Sequence, residues 1–167
     1  VDVLDVVSVV GGILEGIAGD PCADMNADGA VDVLDVVSMV NIILIGRTTS
    51  DATDAKLEIK SGSVSLKADG FVSAVQMTLS HGSDFAITLT NKAMVADYRT
   101  NGNSTTLIVV APESDELFNV SGSFTVEELV AYNSENEIAT SMPSEFVLSK
   151  AYPNPFNPST NLNVYVP

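Results

Sequence analysis

The chain has 167 residues, 22 acidic and 7 basic, for a formal net charge of −15, and 46% of it is hydrophobic. That is enough apolar chain for a real core, and too little positive charge to grip phosphates or an anionic membrane surface. A disordered tail, a nucleic-acid binder and a membrane-surface binder are therefore all disfavoured.

Trp is absent, so the core has to be built mainly from Val, Ile, Leu and Ala. Cys22 is the only cysteine, which rules out an intrachain disulfide or a thiolate metal cluster. The nearest approach to a membrane span, Val31–Ile45, carries Asp32 and Asp35, and no transmembrane helix is expected. The chain opens on Val1 with neither Met nor a basic leader, as a mature or excised piece would.

An internal duplication organises the start of the chain. Residues 1–10 read VDVLDVVSVV and residues 31–40 read VDVLDVVSMV, identical but for Val9 against Met39. Repeats are sought first because they define architecture. Each copy predicts a short helix. In the second, Val33, Val36, Val37, Val40, Ile43 and Leu44 recur at helical spacing, and Gly46 is the expected stop. Abundant β-branched residues weaken intrinsic helix propensity, so packing has to compensate.

Between the copies, residues 24–35 read DMNADGAVDVLD. Counting Asp24 as position one, oxygen-bearing side chains fall at positions 1, 3, 5, 9 and 12: Asp24, Asn26, Asp28, Asp32 and Asp35. Gly29 stands sixth, where the chain must turn, and Ala30 offers a backbone carbonyl at position seven. A hard cation such as Ca2+ wants six to eight oxygens, and this spacing wraps one segment around it. The alternative is an Asx-rich turn that caps the following helix through Asp32. The two readings coexist, since a calcium loop also caps its exit helix.

A calcium loop ending in Asp, followed by one helix and repeated in a close pair, resembles a type I dockerin over residues 1–46. The resemblance implies calcium ligation by Asp24, Asn26, Asp28, Ala30, Asp32 and Asp35, and docking onto a cohesin domain in a bacterial extracellular assembly. Two departures stand out. The first copy begins at loop position eight, leaving only Asp2 and Asp5 of a partial first site. The recognition positions, commonly Ser-Thr in cellulosomal dockerins, hold Val3-Leu4 and Val33-Leu34, so the expected partner face is apolar. It is a binding surface only if nothing in the chain covers it.

Residues 47–54 read as a linker. From 55 to 149 the pattern changes to short alternating runs, with strands expected at Leu57–Lys60, Val64–Lys67, Phe71–Leu79, Phe85–Thr90, Met94–Tyr98, Thr105–Val110, Ser123–Val130 and Ile138–Thr140. Phe71, Val75, Met77 and Leu79 are expected on one face. Asn101-Gly102 signals a hairpin, and Glu127–Val130 could instead form a helical turn. Many short strands with spaced turns predict a β-sandwich. This segment resembles a cohesin-like or immunoglobulin-like sandwich, by fold-level analogy.

The last stretch, with Tyr152-Pro153-Asn154-Pro155-Phe156-Asn157-Pro158, resembles the start of a type IX secretion sorting domain over 150–167. That implies a secreted or cell-surface bacterial protein.

Enzyme chemistry finds little footing. His81 sits beside Gly82-Ser83 in a turn, Cys22 has no neighbouring His, and Glu113, Asp115 and Glu116 read as a solvated loop. Asp20-Pro21 is a chemically labile bond and no more. The expectation is an α+β chain: a small helical calcium module plus an antiparallel β-sandwich, with no catalytic residues. Its partner is either a cohesin-like protein domain or its own β-sandwich. As a spacer on its own sandwich, it would close the C-terminal end of a larger secreted hydrolase.

Overall fold

A computed structural model describes residues 1–17 and 20–143, with two short strands at Val147–Leu148 and Val164–Tyr165. The proline-rich run 151–160 lies outside the described residues, as does the sorting-domain resemblance apart from Val164–Tyr165.

The two duplicated segments are helices, α1 (Val3–Glu15) and α2 (Val33–Ile43). Both start on the same capping box. Asp2 and Asp32 accept backbone amides from the first turn, while Asp5 and Asp35 reach back to the amides of Asp2 and Asp32. Two orphan donors per helix are satisfied this way, and the carboxylates face the positive end of the dipole. α1 ends on Gly16 in the left-handed region, φ 63°. α2 stops at Leu44, two residues before the expected Gly46.

Nine strands follow: β1 (Asp54–Lys60), β2 (Ser63–Ala68), β3 (Ala74–His81), β4 (Ala86–Leu89), β5 (Ala93–Asn101), β6 (Ser104–Pro112), β7 (Glu116–Ser121), β8 (Phe124–Tyr132) and β9 (Ala139–Ser141). They form two sheets, ordered β4-β7-β2-β1-β9 and β5-β6-β3-β8. Every pairing in them is antiparallel except β1 with β9. Leu57, Val64, Leu66 and Phe118 from one sheet meet Val75, Met77, Leu79, Leu107, Val109 and Leu129 from the other in one buried cluster. This is a β-sandwich, and with the helices the chain is α+β.

Two strand-level expectations are corrected, and one open alternative is decided. Glu116–Ser121 is a strand where none was expected, and it begins on Glu116, one of the acids read as a solvated loop. Leu117 and Phe118 are both buried there because the register against β2 shifts between Val64 and Ser65, which breaks the alternation. Glu127–Val130 is strand, not a helical turn. The register against β3 steps from Thr78↔Glu128 to Leu79↔Val126, leaving Glu127 as an extra residue in a bulge. Phe71 does not share the face of Val75, Met77 and Leu79. It lies ahead of β3 and packs with the helices, whereas those three line the sandwich interior.

β6 sits second in its sheet and is buried on both faces. Leu107 and Val109 point into the sandwich, while Ile108 and Val110 point out to the helices. Val6, Val9 and Val10 of α1 and Val36, Met39 and Val40 of α2 close over that outer surface. The helix pair is thus a third layer on the β5-β6-β3-β8 sheet. Fully burying an aliphatic side chain contributes about 1.5–3 kcal/mol, so six such residues seat the pair firmly.

Candidate metal centre and partner face

The segment 24–35 folds into a closed loop between the helices. Asp20 opens it by accepting the amide of Cys22 at 2.9 Å, which begins a short 3-10 turn over Pro21–Ala23. Gly29, at loop position six, adopts φ 90°, a conformation that glycine takes without a Cβ penalty. Asp24 then reaches across the turn, accepting the amides of Asp28 at 3.2 Å and Gly29 at 3.0 Å. The Asn26 carbonyl oxygen accepts Asp28 N at 3.0 Å, and Asp28 accepts Ala30 N at 2.9 Å.

Asp35 closes the loop. It is fully buried. Its Oδ1 accepts Met25 N at 2.7 Å and Asn26 N at 3.2 Å, while Oδ2 accepts Asp32 N at 2.9 Å. One carboxylate thereby ties the start of the loop to its end and to the first turn of α2. The first-copy counterpart Asp5 is exposed, and of these contacts it keeps only the capping bond to Asp2 N, at 2.8 Å.

The donor set of Asp24, Asn26, Asp28, Asp32, Asp35 and the Ala30 carbonyl suits a hard, oxygen-seeking cation. Among the described residues no three His, Cys, Asp or Glu side chains are gathered closely enough to hold an ion as placed. The loop oxygens are turned onto backbone amides.

The four residues expected on the partner face divide. Val33 is buried and Leu34 half-buried, whereas Val3 and Leu4 are exposed. Val33 and Val37 pack on Ala74 of β3 and Tyr132 of β8. Of the Val33-Leu34 half of the expected face, Val33 is covered by the chain's own sheet.

The segment read as a linker is held down. Arg47 donates to the Asp51 carboxylate at 2.7 Å and to the hydroxyl of Ser134, and its guanidinium lies 3.8 Å from the centre of the Phe71 ring. Ser134 donates to the same Asp51 oxygen at 2.8 Å, and Asn41 of α2 donates to the Ser134 carbonyl at 2.6 Å. Burial alone pushes the Asp51 carboxyl up, but the hydrogen bonds from Ser134 and Arg47 and the guanidinium charge outweigh it and hold the carboxyl below its ordinary value. This clasp escaped the sequence reading because Ser134 lies 87 positions from Arg47.

His81 stacks on Phe85 and bonds through Nε2 to Thr105, which is fully buried and out of reach of a substrate. Cys22 is exposed, and Asp115 pairs with Lys67.

No family model matches the chain, and no curated protein matches it. Among solved structures it is similar to a non-cellulosomal cohesin from the hyperthermophilic archaeon Archaeoglobus fulgidus. The identity is 14% over 57% of this chain and 86% of that one, with a TM-score of 0.37. A likeness at that level carries no argument about function, and the sandwich is read from the strands themselves. No helix among the described residues is long and apolar enough to cross a membrane.

Proposed function

We propose that the chain is a non-catalytic, calcium-stabilised interaction module of a secreted bacterial protein, with its dockerin-like helix pair seated on its own sandwich and its partner face on the first repeat. The observation that carries this reading is the loop 24–35, closed on the buried Asp35 with six oxygen donors at calcium-loop spacing. A cation bound there would neutralise the crowded Asp24, Asp28, Asp32 and Asp35 and add to the stability of α2. Binding that favours only the folded state contributes about 2.7 kcal/mol at a hundredfold excess over Kd.

Val3, Leu4 and the neighbouring Val7 form an exposed apolar stripe on α1, which supports a protein partner, a cohesin-like domain by resemblance. The secreted setting rests on the tail resemblance alone. Calorimetric titration of the full chain with Ca2+, beside the Asp24→Ala/Asp35→Ala variant, tests the metal. One site in the parent and none in the variant is expected. A parent that takes up no heat and keeps its melting temperature in chelator rejects the reading.

A second reading, a calcium-stapled spacer, is favoured by the burial of Val33 and Val37 on Ala74 and Tyr132. A chain that binds calcium at one site yet no cohesin-like module through Val3 and Leu4 would leave that reading in place.

A further inference from the structure

We propose that β5 is a self-complementary edge through which two copies of this chain pair into a two-fold dimer with one continuous eight-stranded sheet. β5 is an edge strand, and its residues 97–101 are exposed. It joins β6 through a two-residue turn, Gly102-Asn103, closed by the pair Asn101↔Ser104. In such a hairpin the closing pair exchanges backbone bonds, and the pattern then alternates. Asn101, Arg99 and Asp97 therefore bond inward to β6, while Thr100, Tyr98 and Ala96 turn their amides and carbonyls outward. The outward amide of Tyr98 is occupied by Asp97 Oδ1 at 2.8 Å.

An antiparallel pairing of β5 with itself, centred on Tyr98, satisfies these groups. Tyr98 meets Tyr98 of the partner subunit as a bonded pair, flanked by Ala96 against Thr100 on each side. The same register sets Asp97 opposite Arg99 of the partner subunit, twice by symmetry. Opposite charges directly across strands are favourable and like charges are not. Asp97 would release the Tyr98 amide to the partner backbone and take Arg99 instead. Among the described residues the ion pair of Arg99 is a loose contact to Glu15, at 3.7 Å with both side chains about half exposed, which an exchange of partners can replace.

The other edge of this sheet argues by contrast. β8 carries Glu127 and Glu128 and no basic residue, so no register of its self-pairing sets opposite charges across from one another, and charged residues are a common guard on edges. A closed two-fold dimer follows from β5, whereas β5 pairing with β8 would propagate. The proposal does not depend on the calcium reading.

Sedimentation velocity on the full chain, in about 0.15 M salt or more to screen its net charge, tests it. The weight-average mass should rise from one chain toward two between about 10 μM and 1 mM, the range where so small an interface has to be sought. Arg99→Asp should raise the dimer dissociation constant about tenfold. Adding Asp97→Arg restores opposite charges and should recover the affinity. A parent that stays monomeric at about 1 mM, an Arg99→Asp variant that pairs as before, a folded double variant that does not recover, or growth past two copies would each overturn the proposal.

Discussion

Val7 and Val37 occupy the same position in two copies of one decapeptide, yet Val37 is 6% exposed against Tyr132 and Ala74 while Val7 is 46% exposed. Introducing Asp at position 37 places an unpaired carboxylate in an apolar contact and should cost about 3 kcal/mol or more. The identical change at position 7 should stay within about 0.5 kcal/mol. Urea unfolding of the two variants measures the difference, and equal losses would mean that α2 is not seated on the sheet.

Asp35 and Asp5 are likewise one residue written twice. Asp35→Ala strips acceptors from the amides of Met25, Asn26 and Asp32 in a buried setting. It should lower stability by about 3 kcal/mol even in chelator, since each buried unsatisfied donor costs about 1–3 kcal/mol. Asp5→Ala removes one exposed capping bond and should lose much less. If the calcium reading holds, Asp35→Ala also abolishes any stabilisation by added Ca2+, whereas Asp5→Ala keeps it.

The clasp at Arg47 has a pH signature. Because Asp51 is held below its ordinary value, the folded chain takes up its proton less readily than the unfolded chain. Its contribution is complete above the unfolded value of about 3.9 and fades as pH falls through the lower folded value. Melting curves of the parent and Asp51→Asn should therefore differ at pH 6 and converge toward about pH 2. Arg47→Ala should cost about 1–2 kcal/mol at neutral pH, from the charged hydrogen bond and the stacking on Phe71.

Gly70 tests whether residues 50–52 are anchored. A Cβ there would stand 2.6 Å from the Ser50 carbonyl oxygen and 2.7 Å from Ala52 N, both backbone atoms that cannot swing aside. Gly70→Ala should cost about 1–3 kcal/mol by forcing two backbone segments apart. Limited proteolysis should then cut first within 47–53. An alanine variant as stable and resistant as the parent would show that this connection is loose.

Much of the architecture is legible in the sequence because it rests on local rules. The duplicated decapeptide marks both helices, the Asp–x–x–Asp spacing supplies both capping boxes, and Gly29 stands where the chain takes a positive φ. Alternation marks most strands, and the unbroken apolar run of Leu107–Ala111 carries the signature of a strand buried on both faces. Glu116–Ser121 was missed because a register shift buries two successive residues in an acid-rich stretch, and alternation does not survive a bulge.

What the letters could not decide is which copy of the repeat would be covered. VDVLDVV is the same string at 1–7 and 31–37, so no propensity or periodicity separates Val7 from Val37. The difference arises because α2 lies where β3 and β8 supply Ala74 and Tyr132 beneath it. Burial is a property of neighbours brought together from far along the chain, and it follows from the closed sheet.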